Sequence, residues 1–463
     1  MTATPATTPS TAAPSRRRPL EGPRGHWLLG CLSRMQKDPL GLYAQAWREH
    51  GDYVRIRILP GGYAYLLIHP YAVEQVLQKN AKNYRKPDVL LKPMRQLVGQ
   101  GLFTSEGDFW LRQRRLAQPA FNRQHLAQLS PLMVQAAEAF VREREAAPAG
   151  RPVDLLEEMM RVSLRIAGTT FFSTDLADEA AVLAPAFRVA FAYLSRRMNS
   201  VALLPPWFPS AENRAFAQAK RLIDRVVLEV IAARRKSTNR PDDVLSLLLA
   251  AQDEATGAGM TDEQLKDEVV TLLTAGHETV GAALSWTWYL LGQHPQVQKD
   301  LHDEVHGHLQ GRAPTIDDLP QLPLAKAVFE ESMRLYPPAW GVPRQAIQTD
   351  EIDGFPIPAK GIIVLCQYLT HRHPDFWSEP DAFRPQRFLS APPGDRPRFA
   401  YFPFGGGPRV CIGAGFALTE GPLVLATICQ HFRVELAPGQ TVTPDPTFTL
   451  RPRFGLKASL WPW

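Results

Sequence analysis

The spacing of apolar and polar residues divides the chain into a short β-rich part and a long helical part. Residues 54–58 alternate apolar and polar side chains, and residues 63–68 follow after Pro60-Gly61-Gly62, which is typical of a turn. This alternation predicts a β-hairpin. From about residue 108 to residue 293 the apolar side chains recur mostly at helical spacing, most clearly over residues 211–235. The pattern therefore predicts that helices dominate the middle of the chain.

The longest apolar run of the chain, residues 269–291, lies in this helical part. Upstream of it, Thr261 and Gln264 have the spacing of a capping box, which predicts a helix start. His277, Glu278 and Thr279 interrupt the run at its middle. Because a membrane-spanning helix needs about 20 predominantly apolar residues, we expect a buried helix with a polar interruption and no membrane anchor.

Composition and charge are those of a globular protein with a mild basic excess. Of 463 residues, 45% are hydrophobic and 21% are charged, which excludes a wholly disordered, collagenous or multi-span membrane chain. The net charge is +6 without a long basic run, so we expect no nucleic acid partner, whereas an acidic protein partner is plausible. The four cysteines are too few and too scattered for a disulfide framework, which favours a reducing compartment.

The first twenty residues differ in composition from the rest of the chain. Residues 1–20 are mainly Thr, Ala and Pro without periodicity, which predicts a disordered N-terminal tail. The basic residues 16–18 are followed by charged residues where an export signal would be apolar, so secretion is not expected. No internal repeat and no linker between two cores is visible, so residues 21–463 are expected to form a single domain.

The most informative segment is residues 404–413, FGGGPRVCIG, which precedes a helical pattern. Its glycines allow a tight turn and a close approach of backbone amides to a bulky group. Cys411 lies where the loop becomes the helix, so a thiolate there gains from the helix dipole and can serve as an axial metal ligand. Two plainer interpretations are an inert packed cysteine and a phosphate-binding loop, but no Lys-Ser/Thr pair follows the glycines.

This segment, F-x-x-G-x-R-x-C-x-G, resembles the haem-binding signature of the cytochrome P450 family. The resemblance implies haem b (iron protoporphyrin IX) as the cofactor and Cys411 as the thiolate ligand of its iron. It further implies that Phe404 packs near the sulfur, that Arg409 binds a haem propionate and that Gly413 belongs to the cofactor-binding loop. The fold implied is mainly α (α+β), a helical prism with a small β-rich lobe. Thiolate ligation favours cleavage of the O–O bond.

The polar interruption, Ala275-Gly276-His277-Glu278-Thr279, is similar to the family's A-G-x-x-T oxygen-activation motif. Small residues at Ala275 and Gly276 would let a planar cofactor and a diatomic ligand approach the helix backbone. The Thr279 hydroxyl can accept or pass a proton. The resemblance implies Glu278 as the proton source behind it. In isolation the motif would indicate only a kinked helix with a solvent-facing Glu.

Glu331 and Arg334 form an E-x-x-R pair, a spacing that is common on helix surfaces and that Glu158 and Arg161 also show. Only the later pair is followed by residues 380–388, PDAFRPQRF, which are similar to the family's P-x-x-F-x-P-x-R-F segment. The resemblance implies that Glu331, Arg334 and Arg387 form a buried ionic triad with a structural role.

Residues 110–115, WLRQRR, resemble the family's W-x-x-x-R segment at the haem edge. Trp110 and Arg114 are four residues apart, so they share one helix face and could bind a propionate. Arg112 and Arg115 face elsewhere and form either a docking surface for an acidic electron donor or an ordinary solvated basic face. A further candidate for the second propionate is Arg344.

The family resemblance implies a monooxygenase that transfers one oxygen atom from O2 to a hydrophobic organic substrate, such as a lipid or a terpenoid. A separate ferredoxin or flavodoxin with its reductase would supply the electrons, and the expected location is the cytoplasm. Residues 187–209 and 338–342 are apolar and would line the access channel and reach over the haem, although core packing explains such residues equally well.

Other functions remain open at this point. A haem-thiolate binding protein without turnover, or a haem isomerase or peroxygenase, would need no proton relay. A zinc hydrolase is a further alternative, because residues 301–308 nearly spell H-E-x-x-H, with His302 and His306 on one helix face. However, the position of the general base holds Asp303, and no third ligand is evident beyond His308.

Overall fold

The computed structural model describes residues 21–59, 61–174, 177–199, 204–238, 241–253, 257–389 and 396–463. The predicted tail, residues 1–20, and Pro60 of the predicted turn lie outside these ranges.

Helices make up most of the described chain. They are α1 (Leu32–Lys37), α2 (Pro39–His50), α3 (Pro70–Glu74), α4 (Asp88–Val98), α5 (Gly107–Ala117), α6 (Arg123–Glu145), α7 (Leu155–Phe172), α8 (Ala177–Asn199), α9 (Ala211–Lys236), α10 (Val244–Ala250), α11 (Asp262–Gln293), α12 (Pro295–Leu309), α13 (Pro323–Leu335), α14 (Gln367–Thr370) and α15 (Ala414–His431). A π-helical turn, Gln75–Lys79, follows α3, and short 3₁₀ turns include Pro385–Phe388 and Gly407–Arg409. Among the described helices, none is long and apolar enough to cross a membrane.

The strands are short and form four small sheets. They are β1 (Tyr53–Leu59), β2 (Gly62–Leu67), β3 (Tyr84–Arg85), β4 (Pro152–Asp154), β5 (Val342–Ala346), β6 (Asp350–Ile352), β7 (Phe355–Ile357), β8 (Ile362–Leu365), β9 (Phe432–Leu436), β10 (Pro444–Pro446), β11 (Leu450–Pro452) and β12 (Lys457–Pro462). The largest sheet has the order β1-β2-β8-β5-β3, in which only β2 and β8 are parallel. The others are β4-β12-β9, β10-β11 and β6-β7.

Several predicted elements are confirmed. The hairpin is the antiparallel pair β1 and β2, with Arg55 opposite Tyr65, and the amphipathic segment 211–235 lies within α9. The capping box is present at the start of α11: the Thr261 hydroxyl accepts from the Gln264 amide, and the Gln264 side chain accepts from the Thr261 amide. The mainly α (α+β) fold class is therefore confirmed.

Helix α11 lies at the centre of the largest apolar core, together with α6, α7 and α15. Trp286 and Trp288 of α11 are fully buried, and Trp286 stacks on Tyr336 with ring centroids 3.9 Å apart. The Trp286 indole N–H donates to the Leu450 carbonyl at 2.9 Å, which ties the strand β11 to the helix. A second, smaller core covers the five-stranded sheet with residues such as Ile363 and Phe402. The polar middle of α11 thus belongs to a helix that is packed within the larger core.

Candidate active site

The loop before α15 has a backbone conformation that requires glycine at two positions. Gly405 and Gly407 adopt positive φ angles of 71° and 64°, a region that favours glycine. A Cβ at Gly407 would lie 1.7 Å from the carbonyl oxygen of Leu77, so no side chain fits there. The Cys411 amide donates to the Phe404 carbonyl at 3.0 Å. These constraints fix Cys411 two residues before Gly413, the N-cap of α15.

Cys411 differs from the other cysteines of the chain. Its side chain is accessible, whereas Cys31, Cys366 and Cys429 are buried. Crowding by surrounding protein atoms raises the pKa of the Cys411 thiol, while the Gly413 amide and Arg114 act in the opposite direction. An accessible thiol of raised pKa is protonated at neutral pH and loses its proton when it binds a metal ion. The loop therefore offers a single sulfur ligand.

Three basic side chains meet beside this loop, and the sequence pointed to two of them, Arg409 from its motif and Arg344 as a further candidate. Arg409 stacks on the Trp110 ring at 3.7 Å, and its guanidinium forms an ion pair with Glu106 at 2.6 Å. Arg344 is buried, which lowers its pKa to about 10. Lys86 joins them: burial and then the charges of Arg344 and Arg409 lower its pKa to about 7, against the opposing effect of Glu106.

The charges of this basic cluster do not balance. Lys86, Arg344 and Arg409 carry three positive charges in their ionised forms, and Glu106 supplies one negative charge. Buried charges that are not paired are costly, so the cluster is suited to an anionic group with two carboxylates. The two propionates of a haem meet this need, and the cluster lies beside the loop that presents Cys411. The described residues therefore fit the cofactor that the motif implied.

Arg114 and Trp110 reach the loop from α5. The Nη1 of Arg114 donates to the Val410 carbonyl at 2.9 Å, and the Nε of Arg114 donates to the Gln118 side chain at 2.9 Å. Trp110 contacts the Arg409 guanidinium face to face. Lys86 was missed because no motif surrounds it: it stands alone between Arg85 and Pro87, and its neighbours come from distant parts of the chain.

The polar middle of α11 distributes its side chains among different neighbours. Ala275 is exposed and Thr279 is partly exposed, although most of the helix is buried. These two residues therefore mark a face of α11 that borders a space, which we call the bordered face. The Thr279 hydroxyl donates to the Ala275 carbonyl at 2.8 Å, which leaves its lone pairs free. A Cβ at Gly276 would lie 2.8 Å from the Phe171 ring, so close packing on α7 explains this glycine.

Glu278 contacts the strand β11 and the residue directly before it. Its buried carboxylate accepts a hydrogen bond from the Thr449 hydroxyl at 2.9 Å and lies 3.4 Å from an Arg451 guanidinium nitrogen. The structure thus does not bring the Glu278 carboxylate together with the Thr279 hydroxyl, which is bonded to Ala275. Sequence reasoning missed Arg451, which lies far along the chain from the motif.

Glu331, Arg334 and Arg387 are in contact, as the resemblance implied. Arg334 donates to both oxygens of Glu331 at 2.7 and 2.8 Å, and both side chains are fully buried. The Arg387 Nε lies 3.3 Å from Glu331. Arg334 also donates to the carbonyls of His371 and Pro380 at 2.9 and 2.6 Å. This triad therefore fastens α13 to the segment that leads to the Cys411 loop.

The remaining sequence-based candidates have other surroundings. Arg112 is not free for docking, since it donates to the Ala258 and Gly259 carbonyls at 2.8 and 2.9 Å, whereas Arg115 is exposed. His302 bonds to the Cys429 carbonyl and stacks on Trp463. In the described parts of the chain, no group of three metal-binding side chains was found.

The apolar segment 187–209 divides into two parts. Phe187, Phe191 and Tyr193 are buried, and Phe191 stacks on Phe448 with centroids 4.8 Å apart. Trp207 is largely exposed. Leu203 lies outside the described residues. Core packing thus accounts for the first part of the segment.

The Cys411 loop and the basic cluster beside it fit a haem-thiolate protein. The chain belongs to the cytochrome P450 family, whose model matches residues 20–458. It is 37% identical to cyclooctatin synthase of Streptomyces melanosporofaciens over 92% of both chains. It is 35% identical to cyclooctat-9-en-7-ol 5-monooxygenase of the same organism over 95% of both chains. It is also 33% identical to pentalenene oxygenase of Streptomyces avermitilis, over 90% of this chain and 91% of that one.

Membership of this family confirms the family resemblance of the sequence motifs and the class of activity that it implied. The protein is a haem-iron enzyme, a monooxygenase that inserts one oxygen atom of O2 into a hydrophobic organic substrate. It needs a redox partner that supplies electrons.

Removing Arg334 leaves the buried Glu331 carboxylate without its main partner. We expect Arg334→Leu to lower the free energy of unfolding by about 3–5 kcal/mol, as is typical when one member of a buried ion pair is removed. Urea unfolding measures this loss. The matched control is Arg161→Leu at the same E-x-x-R spacing, which removes partly exposed ion pairs to Glu158 and Glu143 and should cost about 1 kcal/mol. Equal losses in the two variants would contradict the structural role of the triad.

Cys411 is expected to be the iron ligand. Cys411→Ser should abolish the absorption band that thiolate ligation gives to the reduced carbon monoxide complex. The control is Cys429→Ser, a cysteine buried in α15, which should keep the band in whatever protein folds. Survival of the band in Cys411→Ser would refute the assignment of the ligand.

Proposed function

We propose that this protein is a terpenoid hydroxylase that uses haem b and takes electrons from a ferredoxin or flavodoxin with its reductase. The observation that carries the proposal is the similarity, over nine-tenths or more of the chain, to proteins named for oxidation of cyclooctat-9-en-7-ol and pentalenene. The four free cysteines suit a reducing compartment, so we place the enzyme in the cytoplasm.

The basic cluster and the Cys411 loop would hold the cofactor from two directions. The Cys411 sulfur would bind the iron, and Phe404 and Gly413 shape the loop that presents this sulfur. Arg409, Arg344 and Lys86, with Trp110 and Arg114, would bind the propionates. When bound, the haem supplies the activation of dioxygen with two electrons. The chain contributes the anchoring charges, the exclusion of water and the supply of protons.

Thr279 is the residue that we assign to proton handling on the bordered face of α11. Its hydroxyl hydrogen is donated to the Ala275 carbonyl, so its oxygen lone pairs remain able to accept a hydrogen bond from another donor. Gly276 lets α7 pack closely, which holds this part of α11 in place. Glu278 is the proposed proton source: to serve Thr279, its carboxyl must leave Thr449 and Arg451.

Thr279→Ala tests the assignment of Thr279. We expect the variant to fold and to bind haem, because the side chain is partly exposed and small. Reducing equivalents should be diverted from product to hydrogen peroxide, with coupling to product lowered about tenfold or more, the scale on which a positioned proton-transfer group acts. Thr279→Ser, which keeps the hydroxyl, is the control and should retain most of the coupling. Unchanged coupling in Thr279→Ala would refute this role.

The substrate class is tested by titration of the ferric enzyme with a panel of hydrophobic compounds. We expect cyclic terpene hydrocarbons and alcohols to shift the haem spectrum from low to high spin, since entry of a substrate displaces water. Fatty acids of similar size serve as the comparison. A shift with fatty acids alone would overturn the terpenoid assignment. A spin shift without oxygen-dependent product from any compound would favour a haem-binding protein without turnover or a haem isomerase.

A further inference from the structure

Helix α12 carries two histidines that the sequence singled out and that the proposed function does not use. His302 and His306 are four residues apart, and their rings lie nearly parallel, with centroids 5.5 Å apart and 17° between the planes. His306 is exposed and His302 is partly exposed. Side chains at this spacing are neighbours on a helix, so one ion from solvent can reach both imidazoles.

The surroundings of His302 decide which of its ring nitrogens keeps a lone pair. Its Nδ1 lies 3.0 Å from the Cys429 carbonyl oxygen of α15, and its ring stacks on Trp463 with centroids 4.1 Å apart. Because a carbonyl oxygen only accepts hydrogen bonds, the Nδ1 carries the proton and the Nε2 keeps its lone pair. A hydrogen bond from the other ring nitrogen to a carbonyl is also what orients most histidine ligands of metal ions.

The separation of the two rings suits a shared metal ion. Imidazole nitrogen binds Zn²⁺ at about 2.0–2.1 Å, so two imidazole ligands of one tetrahedral ion have ring centroids roughly 5 Å apart. The observed 5.5 Å is close to this value, and the exposed His306 side chain has room for the remaining adjustment. A second pair of neighbouring histidines, His69 and His373, is arranged differently: the rings meet edge to face, and the His373 Nε2 is bonded to Asp52.

The charges of this helix segment favour a cation. Asp300 and Asp303 are exposed, and Lys299 forms an ion pair with Asp303. The hydrogen bond from Lys299 lowers the pKa of the Asp303 carboxyl, and the imidazoles of His302 and His306 act in the same direction. Two carboxylates and one ammonium leave one negative charge on the segment. His306 also lies in the last turn of α12, at the negative end of the helix dipole.

We propose that His302 and His306 bind a late first-row divalent metal ion, such as Zn²⁺ or Cu²⁺, through one ring nitrogen each. Imidazole nitrogen suits these ions, and water completes the coordination. The site is remote from the haem iron. His302 contacts α15 at Cys429, fifteen residues after this helix begins, which is about 22 Å along the axis from the end that follows Cys411. The inference therefore does not depend on the haem or on the substrate.

Zinc binding to the haem-loaded enzyme tests the site. After equilibrium dialysis against Zn²⁺, elemental analysis should find about one more zinc ion per haem iron in the wild type than in the double variant His302→Gln/His306→Gln. In calorimetric titrations, His302→Gln and His306→Gln should each weaken zinc binding about tenfold or more, since loss of an outer-shell partner alone costs that much. The control is His308→Gln on the same helix, whose Nε2 is bonded to Asp318 at 2.9 Å.

Copper locates the bound ion by a measurement that does not rely on affinity. Cu²⁺ quenches the fluorescence of a tryptophan close to it, and Trp463 stacks on the His302 ring. We expect Cu²⁺ to quench a component of the emission that is absent from Trp463→Phe, and His306→Gln should lose this quenching. The control is Trp207→Phe, which removes a tryptophan that is 80% exposed and should keep the quenching.

Several outcomes would overturn the site. If the histidine variants retain as much zinc as the wild type, the zinc is held adventitiously elsewhere. If His308→Gln loses as much zinc as His306→Gln, the assignment to this pair is wrong. Should His302→Gln not fold, because the contact with Cys429 is lost, the exposed His306 decides through His306→Gln. A failure here leaves the proposed function intact, since Cys411 and Thr279 have their own tests.

Discussion

The position of the Cys411 sulfur depends on a relay of backbone constraints that starts at a buried ion pair. Glu331 and Arg334 lock together without access to solvent, and Arg334 holds the His371 carbonyl. His371 accepts the Phe402 amide on its Nε2 at 2.9 Å. Burial, and then the charges of Arg334 and Arg372, lower the pKa of His371 to about 3. The ring therefore stays neutral and keeps the lone pair that Phe402 requires.

From Phe402 the constraint continues into the loop. The Phe402 carbonyl accepts the Gly405 amide at 2.8 Å, and Phe404 accepts the Cys411 amide. Gly407 closes the loop against the Leu77 carbonyl, where no other residue has room. A ligand sulfur that is placed by backbone contacts on both sides has little freedom to relax. These contacts connect a charge as distant as Glu331 to the loop that presents the sulfur.

The Cys411 loop is fixed by contacts within the chain. The basic cluster, by contrast, lacks an anionic partner among the described residues that would balance its charge. Lys86, Arg344 and Arg409 come from three separate parts of the chain, and burial, followed by the charges of Arg344 and Arg409, lowers the pKa of Lys86. A group that brings two carboxylates would oppose this shift, because opposite charge nearby favours the protonated lysine. Cofactor binding and folding are therefore coupled here: the cluster is stabilised by whatever neutralises it.

The sequence predicted local features well and long-range partners poorly. The Cys411 loop and the start of α11 are set by adjacent residues, such as the glycines and the Thr261 cap, so their motifs are readable. Lys86 has no local signal, because it matters only through Arg344 and Arg409. For Glu278, the motif placed the residue on the correct helix, but its partners on and before β11 are fixed by the packing of the chain's far end. The middle of α11 shows why: Gly276 packs against α7, Glu278 pairs with Arg451 and Thr279 lies on the bordered face. The residues of one five-residue motif thus contact three separate neighbours, and only the fold shows which neighbour each residue contacts.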